Sequence, residues 1–330
     1  MNEESPLLEI RQISRSFRSG GFWKSSTVRA VDGVSLVLGR CSTLGLVGES
    51  GSGKSTLARL AARLLNPSSG NVFLHGRPLF PEKGSPASSG SEARAFRRSL
   101  PARLQMIFQD PYSSLNPRLR VGSSIAEPLL GLALSRRARR ARVEALLAEV
   151  GLDQSDAGRY PHEFSGGQRQ RVVLARALAP GPELLICDEP VSSLDASVQA
   201  QVLNLLKDRQ EALGLSYLFI SHDLAVVSHM SDQIAVMYLG RIVEEGEAGS
   251  LFHQPRHPYT RMLLAASGQK RLLPSEGLTD RAWANSSAET IPGWEEGCAF
   301  APRCPETAAL CLRRIPELRP VGAGQVRCWA

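Results

Sequence analysis

The sequence lacks any run of about 18 apolar residues, the length that a membrane-spanning helix requires. Its first ten residues, MNEESPLLEI, are acidic and do not have the basic and apolar segments of a secretory signal peptide. No internal repeat with a period of about 20 to 50 residues is present. These absences predict a cytoplasmic protein that does not itself cross a membrane.

Cysteine is scarce, with six among 330 residues. A cytoplasmic chain keeps its thiols reduced, so a disulfide framework is not expected. Cys41 and Cys187 stand alone and are interpreted as ordinary packing residues. Clustered cysteines in this compartment favour metal or cluster ligation. The cluster here lies in the last 33 residues and consists of Cys298, Cys304, Cys311 and Cys328.

The bulk composition is that of a soluble globular protein, with 42% hydrophobic and 22% charged residues. The net charge of +7 is compatible with nucleic acid, an anionic membrane surface or no specific partner. The most concentrated basic run, SRRARRAR at 135–142, leads into a segment with helical apolar spacing. We interpret this run as a solvated helix face, with contact to lipid headgroups or a protein partner as the alternative.

Strand and helix patterns alternate along the chain, which predicts an α/β protein with a mainly parallel sheet covered by helices on both faces. Residues 81–101 are rich in Ser, Gly, Pro and Arg and are predicted to form a flexible surface insertion. Residues 268–296 show little periodicity and are predicted to be a linker. A cysteine-rich region at 297–330 follows this linker.

The segment GLVGESGSGKSTLARL predicts a phosphate-binding loop, because it follows an apolar strand and precedes a helix. Glycines let backbone N–H groups converge on phosphate oxygens, and the helix N-terminus adds its positive dipole end. Lys54 is predicted to bridge the β- and γ-phosphates, and Ser55 to bind Mg²⁺. The residues predicted to bind nucleotide here are Gly48, Ser50, Gly51, Gly53, Lys54, Ser55 and Thr56.

An apolar strand in ELLICDEP, residues 183–190, ends in two acidic residues. Ligands bind at the carboxyl edge of open α/β sheets, so both acids are expected beside the phosphate loop. Asp188 is suited to holding Mg²⁺, and Glu189 to polarising the attacking water as a general base. Together with the phosphate loop, this pair predicts nucleotide hydrolysis.

Between these motifs lies EFSGGQRQRVVLARAL at 163–178, in which Ser-Gly-Gly-Gln opens a predicted helix. This is a second anion-binding helix terminus, and a single nucleotide does not need two. We therefore expect it to bind the γ-phosphate of a nucleotide held by another subunit. The residues concerned are Ser165, Gly166, Gly167 and Gln168.

With these motifs, residues 7–267 resemble the ATP-binding subunits of ABC transporters. The phosphate loop, the signature at 165–168, the strand acids, the SSLD loop at 192–195 and the FISHDL segment follow the order found in that family. The resemblance implies an ABC-type domain over 1–267, with a mixed sheet flanked by helices and a helical signature subdomain at about 110–180. It also implies ATP and Mg²⁺ as ligands.

The resemblance assigns roles to further residues. Gln109 would sense the γ-phosphate and Mg²⁺, count among the Mg²⁺ ligands and report to the membrane subunits. His222 would bridge the γ-phosphate and the attacking water. Asp195, in the SSLD loop, would touch the partner subunit across the dimer interface. The implied catalytic residues are therefore Glu189, His222 and Gln109.

Members of this family also stack the adenine on an aromatic residue near the N-terminus. Phe17 is the candidate, and Phe22 and Trp23 are its close rivals. One departure from the family pattern is Phe164, which stands where many members have Leu before the Ser-Gly-Gly-Gln. Both residues are apolar anchors, so no loss of function is expected.

Three segments resemble the branch that imports oligopeptides, dipeptides and nickel: MIFQDPYSSLNPR at 106–118, YPHEFSGGQRQR at 160–171 and HQPRHPYTRMLLAA at 253–266. The resemblance implies a heterodimer with a second ATP-binding subunit, two membrane permease subunits and an external solute-binding protein. The chain would be peripheral, on the cytoplasmic side of the inner membrane. Di- and oligopeptides are the leading solutes, and nickel chelates, opines and other peptide-like solutes are alternatives. The segment VRAVDGVSL favours the second of the two ATPase types.

The cysteine tail also belongs to the pattern of this branch. In at least some members it implies a 4Fe–4S cluster held by four cysteines, and the tail cysteines of this chain match that pattern. Structural Zn²⁺ is the chemical alternative, although zinc sites more often use closely spaced cysteine pairs. Four reduced thiols without a metal are the third interpretation.

Two rival functions are less consistent with the sequence. A non-transport ABC ATPase of translation usually carries two ATPase units, and one of DNA repair carries a long coiled-coil insertion, whereas this chain has one phosphate loop and no such insertion. A non-catalytic regulatory partner is expected to have lost Glu189, His222 or the signature, and all are intact. The sequence therefore predicts an import ATPase that binds no nucleic acid.

Overall fold

The computed structural model describes residues 5–19, 26–81, 90–110, 114–267 and 297–329; the predicted linker at 268–296 lies outside them. The strands are β1 (Leu8–Ser19), β2 (Ser26–Leu38), β3 (Thr43–Val47), β4 (Ser69–Leu74), β5 (Arg77–Pro78), β6 (Leu104–Ile107), β7 (Leu184–Asp188), β8 (Ser216–Ile220), β9 (Gln233–Tyr238), β10 (Arg241–Glu247), β11 (Arg319–Val321) and β12 (Gly324–Val326). The helices are α1 (Lys54–Ala61), α2 (Ser91–Arg103), α3 (Val121–Ala126), α4 (Arg136–Glu149), α5 (Gly166–Leu178), α6 (Ala196–Leu213), α7 (Leu224–Met230), α8 (Ala248–His253) and α9 (Pro258–Ala266).

These strands form two sheets. A four-stranded antiparallel sheet has the order β2-β1-β4-β5. The larger sheet has eight strands in the order β11-β12-β10-β9-β3-β8-β7-β6. Its block from β9 to β6 is parallel, whereas the edge from β10 outward is antiparallel. The sheet is therefore mixed.

The strands of the parallel block are buried on both faces, and their side chains alternate between two cores. In β8, Tyr217 and Phe219 point into one core, and Leu218 and Ile220 into the other. This is the period of two that a pleated strand imposes. A continuous apolar run in such a strand supplies both faces, as expected for a sheet that is covered on each side.

The two faces of the larger sheet are covered differently. Helices α3 to α9 contribute to one core. The other core contains side chains of α1, α2 and the antiparallel sheet. Helices thus contribute to both faces, as predicted. The antiparallel sheet, an additional layer on one face, was not predicted from the sequence, because strand pairing near the N-terminus supplies an apolar surface that the alternation of later elements does not reveal.

The predicted surface insertion at 81–101 contains regular structure. Helix α2 begins at Ser91 and buries Phe96 and Leu100 in the core shared with the antiparallel sheet. Its Ser, Arg and Pro content conceals two apolar residues at the i, i+4 spacing that places them on one helix face. Residues 82–89 of the insertion lie outside the described part of the chain.

The tail, defined here as residues 297–329, joins the larger sheet. Val326 of β12 pairs with Glu244 of β10. Phe300 is fully buried, with its ring centroid 5.3 Å from that of Tyr238 and 5.4 Å from that of Tyr259. Aromatic pairs at such distances contribute beyond their buried area. The tail therefore shares a core with the ATP-binding region predicted at 1–267.

In the part of the chain that the structure describes, none of the helices combines the length and the apolar character that crossing a membrane requires.

His257 is a buried histidine beside this aromatic cluster. Its Nδ1 accepts a hydrogen bond from the backbone N–H of Tyr259 at 3.0 Å, which caps α9. Its own backbone N–H donates to Glu244 at 3.0 Å. Burial, with a smaller contribution from the positive charge of Arg261, lowers the pKa of His257 from 6.5 to about 4.

The lowered pKa of His257 predicts a loss of stability in acid. Between pH 6.5 and 4 the unfolded chain binds a proton at this residue that the folded chain does not, so stability is present above pH 6.5 and falls as the pH drops. The expected contribution is about 3 kcal/mol over this range. His257→Asn keeps a capping acceptor but does not titrate. Denaturant unfolding at pH 7 and pH 4.5 should show a smaller acid loss in this variant.

The exposed His229 provides the control, because His229→Asn should leave the acid dependence of stability as in the parent chain. Equal acid losses in the parent, His257→Asn and His229→Asn would contradict the assignment.

Candidate functional site

The loop after β3 wraps closely around its own backbone. A Cβ on Gly48 would lie 2.2 Å from the carbonyl oxygen of Met237, and one on Gly53 would lie 2.1 Å from that of Ala30. Gly53 also has a φ of 108°, which a side chain strongly disfavours. Glycine is thus required at both positions for the chain to turn from β3 into α1. Gly51 lies between them, with a φ of 80°.

Lys54 is the first residue of α1, and its side chain is buried inside this loop. Its Nζ donates to the carbonyl oxygens of Gly48 at 2.7 Å and Glu49 at 2.8 Å, and lies 3.4 Å from Ser52 Oγ. Burial lowers the pKa of Lys54, against the opposing effect of nearby carboxylates. A lysine cation held in a partly desolvated loop is suited to binding phosphate.

Two oxygen-bearing side chains, the Ser55 hydroxyl and the Asp188 carboxylate, meet next to the loop. Ser55 Oγ donates to Asp188 Oδ1 at 3.0 Å. Burial raises the pKa of Asp188, although this hydrogen bond opposes the rise. A buried carboxylate with a raised pKa would be favoured by a cation, and hydroxyl and carboxylate oxygens are ligands that Mg²⁺ prefers. The two residues therefore fit the predicted magnesium site. Ser50 and Thr56 lie in the loop and in the first turn of α1.

Three residues predicted separately from the sequence meet at Glu189. Gln109 Nε2 donates to Glu189 Oε2 at 2.8 Å, and His222 Nδ1 lies 3.3 Å from Glu189 Oε1. Glu189 has a φ of 50°, and its backbone N–H donates to the Ile220 carbonyl oxygen at 2.9 Å. The carboxylate is therefore held between an amide and an imidazole. A group fixed in this way can orient a water molecule or accept its proton.

The signature begins α5 with a reciprocal cap. Ser165 Oγ accepts from the backbone N–H of Gln168 at 3.3 Å, and Gln168 Oε1 accepts from the backbone N–H of Ser165 at 3.0 Å. A Cβ on Gly167 would lie 2.3 Å from Val198 of α6, so glycine lets the two helices approach closely. Gly166 is the first residue of α5. The N-terminus of α5 is thus capped by side chains of this chain.

Asp195 and Phe17 lie on the surface. Asp195 is exposed and precedes the first residue of α6. The Phe17 ring on β1 is 38% exposed, and the Arg15 guanidinium lies 4.9 Å from its centroid. An exposed ring of this kind can stack on a base. Its rivals Phe22 and Trp23 lie outside the described residues.

The sequence reasoning missed Glu49 as a structural element of the loop. Its backbone N–H donates to the hydroxyl of the buried Tyr259 at 2.8 Å, and its carboxylate contacts Arg303 of the tail. An acidic residue inside a phosphate-binding loop is the signal that could have revealed these contacts, because its charge requires a cationic partner.

The four tail cysteines are half-buried free thiols. The backbone N–H of Cys298 donates to the carbonyl oxygen of Cys311 at 2.7 Å. Burial raises the pKa of Cys298, and the three other tail thiols are near enough to raise it further. Within the described ranges, however, no group of three or more His, Cys, Asp or Glu side chains is arranged to hold a metal ion. As placed, the thiols are neighbours but do not form a metal site.

Two families match separate parts of the chain. The family described as "ABC transporter" matches residues 31–192. The family described as "Oligopeptide/dipeptide transporter, C-terminal region" matches residues 243–311, which include most of β10, helices α8 and α9 and the first part of the tail.

Similar proteins extend over almost the whole chain. The dipeptide transport ATP-binding protein DppF of Escherichia coli (strain K12) is 44% identical and covers 99% of this chain and 95% of its own length. The oligopeptide transport ATP-binding protein AppF of Bacillus subtilis (strain 168) is 46% identical, with coverage of 96% and 94%. A putative peptide import ATP-binding protein of Brucella abortus (strain 2308) is 50% identical, with coverage of 91% and 86%.

The fold also recurs in solved structures. The dimeric ATP-binding cassette MJ0796 bound to ADP and Pi is 26% identical, with a TM-score of 0.62, and covers 73% of this chain and 98% of its own. CbiO1 from Clostridium perfringens, at 24% identity and a TM-score of 0.63, shows the likeness of fold, with coverage of 81% and 96%. These findings confirm the predicted ABC ATPase fold.

The fold, the site and the comparisons together define the class of the protein, which is an ATPase of the ABC type that acts on ATP with Mg²⁺. Within this class, the chain belongs to the ABC transporter ATP-binding proteins that carry the oligopeptide/dipeptide transporter C-terminal region. The resemblance stated from the sequence motifs is thereby confirmed.

Proposed function

We propose that this chain is the ATP-hydrolysing subunit that energises import of dipeptides and oligopeptides. The observation that carries this proposal is the C-terminal match at 243–311 joined to an intact ATPase site in one chain. Relatives of nearly the same length are named for dipeptide and oligopeptide transport. Nickel chelates, opines and other peptide-like solutes are the alternatives within the same kind of importer.

Nucleotide binding is assigned to the loop between β3 and α1. Lys54 binds phosphate oxygens, and the loop N–H groups surround them. Bound Mg²⁺ would supply charge neutralisation, with Ser55, Asp188 and Gln109 as its protein ligands. Phe17 stacks on the adenine. The remaining assigned contacts are those of Gly48, Ser50, Gly51, Gly53 and Thr56.

Hydrolysis is assigned to the cluster around Glu189. Its carboxylate orients the attacking water and accepts a proton from it. Gln109 and His222 hold the two carboxylate oxygens in the structure, so both can position Glu189 before the water arrives. His222, which is 58% exposed in its side chain, also faces outward to contact the γ-phosphate.

The signature acts on the nucleotide of a second ATP-binding subunit. Ser165, Gly166, Gly167 and Gln168 form a helix N-terminus, which favours anions. Asp195 is exposed, and we assign to it the contact with the partner subunit. MJ0796, to which this chain is similar, is a dimer bound to ADP and Pi. ATP held between two such subunits favours the closed dimer, and hydrolysis removes that preference. We infer a heterodimer whose other ATPase subunit is a different chain.

The remaining partners follow from the importer assignment. Two membrane permease subunits dock near Gln109 and the segment that follows it, of which residues 111–113 lie outside the described part of the chain. An external binding protein selects the solute. The chain acts at the cytoplasmic face of the inner membrane as a peripheral subunit, without nucleic acid.

The domain division is proposed as an ATP-binding domain at 1–267, with its helical signature subdomain at about 110–180, a linker at 268–296 and a C-terminal cysteine-rich region at 297–330. The parallel block and both cores support the first unit. Helices α3, α4 and α5 fall within the proposed subdomain. The tail is attached to the first unit by strand pairing rather than standing free.

Glu189→Gln tests the catalytic assignment. The amide keeps the shape and can still bond to its neighbours, but it cannot accept the proton of water. ATP hydrolysis by the assembled complex should fall by about 100-fold or more, while ATP binding persists and the closed heterodimer accumulates. Steady-state phosphate release and size-exclusion chromatography with ATP measure both effects.

Glu211→Gln, on the exposed side of α6, is the matched control and should hydrolyse ATP at the parent rate. Near-normal hydrolysis in the Glu189→Gln complex would refute the general-base role.

The solute assignment is tested with the complex in liposomes together with its binding protein. Loading the binding protein with a dipeptide or oligopeptide should stimulate ATP hydrolysis several-fold, because the loaded receptor promotes the closed dimer. Nickel chelates and opines serve as the comparison ligands. Stimulation by one of these and by no peptide would transfer the assignment to that solute, while leaving the ATPase assignment intact.

For the tail we propose a 4Fe–4S cluster on Cys298, Cys304, Cys311 and Cys328, with Zn²⁺ as the alternative. The support is four half-buried thiols in one tail, three of which are near enough to Cys298 to raise its pKa. To bind a metal, the four thiols would have to move closer together, because among the described residues no group of three or more His, Cys, Asp or Glu side chains is arranged to hold a metal ion. Four thiolates are the usual ligands of such clusters.

Anaerobic purification followed by iron and sulfide analysis tests this cluster. Iron, sulfide and visible absorption should be present in the parent chain and lost in the Cys311→Ser, Cys328→Ser double variant. The exposed Cys41 supplies the control, because Cys41→Ser should keep the iron. A folded, colourless protein without iron would contradict the cluster, and zinc in its place would favour the alternative.

A further inference from the structure

We propose that Arg303, in the tail, is a positioning residue for nucleotide binding: it neutralises and holds Glu49 of the phosphate loop, and thereby makes the affinity for ATP depend on the docked tail. This inference rests on the proposed nucleotide site, and it adds a residue 254 positions away from Glu49 in the sequence.

The contact is a two-point ion pair. Arg303 Nη1 donates to Glu49 Oε2 at 2.7 Å, and Nη2 donates to Glu49 Oε1 at 2.8 Å. The Arg303 side chain is 15% exposed and that of Glu49 36%. Parallel hydrogen bonds of this kind fix the orientation of the carboxylate as well as its charge. The Arg303 side chain therefore fixes the position of the Glu49 carboxylate, which a single exposed ion pair would not do.

Arg303 is itself fixed by the core. Its guanidinium lies 5.8 Å from the ring centroids of Tyr238 and Phe300, and Nη2 lies 3.8 Å from Met262 Sδ. Tyr238 precedes the turn into β10, and Phe300 anchors the tail. Because these contacts restrain the Arg303 guanidinium, its ion pair holds the Glu49 carboxylate in one position.

Glu49 is held at two points by this arrangement. The Tyr259 hydroxyl accepts its backbone N–H at 2.8 Å, and Arg303 binds its carboxylate. The carbonyl oxygen of Glu49 in turn accepts a hydrogen bond from Lys54 Nζ at 2.8 Å. A single residue thus connects the tail and α9 to the lysine that is assigned to the phosphates.

The charge of Glu49 gives the sign of the effect. A carboxylate inside a loop that binds anionic phosphates repels them unless a cation neutralises it. With Arg303 present, the pair is neutral overall and the loop keeps the positive charge of Lys54. Removal of Arg303 leaves a free negative charge beside the phosphates, so ATP should bind less tightly, whereas the residues around Glu189 stay in place.

Arg303→Ala in the full-length chain is the first test. The Kd of a fluorescent ATP analogue with Mg²⁺ should rise about five- to tenfold, the range expected for loss of one partly exposed, charge-assisted pair. In the assembled complex, the KM for ATP should rise by a similar factor while kcat stays within about twofold, since the binding contact is lost and the catalytic cluster is not. Arg303→Lys should show a smaller rise in Kd.

A second variant separates charge from tail structure. Glu49→Gln removes the carboxylate that Arg303 neutralises, so Arg303→Ala should have little further effect on Kd in the Glu49→Gln background. Arg261→Ala is the matched control, because Arg261 also forms an ion pair with the tail, through Glu306 at 2.8 Å, without contacting the phosphate loop. Its Kd for the analogue should equal that of the parent chain.

Three results would overturn the inference: an unchanged Kd in Arg303→Ala, an equal rise of Kd in Arg261→Ala, or a rise in Arg303→Ala that persists in full when Glu49 is Gln. The last two would indicate general loosening of the tail. Lys54→Ala tests the nucleotide site separately. If that site is assigned correctly, this variant should bind the analogue more weakly than the parent chain. Unchanged binding by Lys54→Ala would show that the nucleotide site itself is wrongly assigned, whatever the result for Arg303.

Discussion

The parallel hydrogen bonding of β3, β8, β7 and β6 is the constraint on which the site depends. These four strands are neighbours in the larger sheet, and each contributes its carboxyl end to the same edge. The phosphate loop follows β3, and His222 follows β8. Asp188 is the last residue of β7 with Glu189 directly after it, and Gln109 follows β6. Residues up to about 170 positions apart thus meet without long side chains having to reach one another, as expected at the carboxyl edge of a parallel sheet. A slip of one residue in any of these strands would turn its site residues toward a different face.

The same edge concentrates charges that are costly to bury. Burial lowers the pKa of Lys54 and raises that of Asp188, so each group is held where its ionised form is disfavoured. The chain offsets part of this cost with its own oxygens and hydroxyls, such as those bound to Lys54 Nζ and the hydrogen bond from Ser55. In the proposed nucleotide site, phosphate and Mg²⁺ would supply the opposite charges that these two groups lack. Under that proposal, ligand binding would recover the free energy that burying these two charges costs, which is how a preorganised electrostatic site gains affinity without further rearrangement.

Sequence reasoning predicted the parts of this site that are local. The phosphate loop, the acids after β7 and the signature each carry their chemistry within a few residues, and the order of motifs indicated the ABC type. Features that depend on distant packing were not predictable in this way. Helix α2 was missed because Phe96 and Leu100 are its only deeply buried residues among polar neighbours, and the antiparallel sheet was missed as a covering layer. The contact between Glu49 and the tail joins two ends of the chain, and no local pattern specifies it.

A change in amino-acid composition along the chain need not coincide with a boundary between structural units, as the tail shows. Its linker and cysteines mark residues 297–330 as distinct in sequence, yet β12 extends the larger sheet and Phe300 completes the aromatic cluster around Tyr259. The rings of this cluster lie beneath the same loop whose backbone Tyr259 holds through Glu49. The tail covers the edge of β10, which would otherwise expose unpaired N–H and C=O groups. The tail thus belongs energetically to the ATP-binding region, because removing it would open both a sheet edge and an aromatic core next to the phosphate loop.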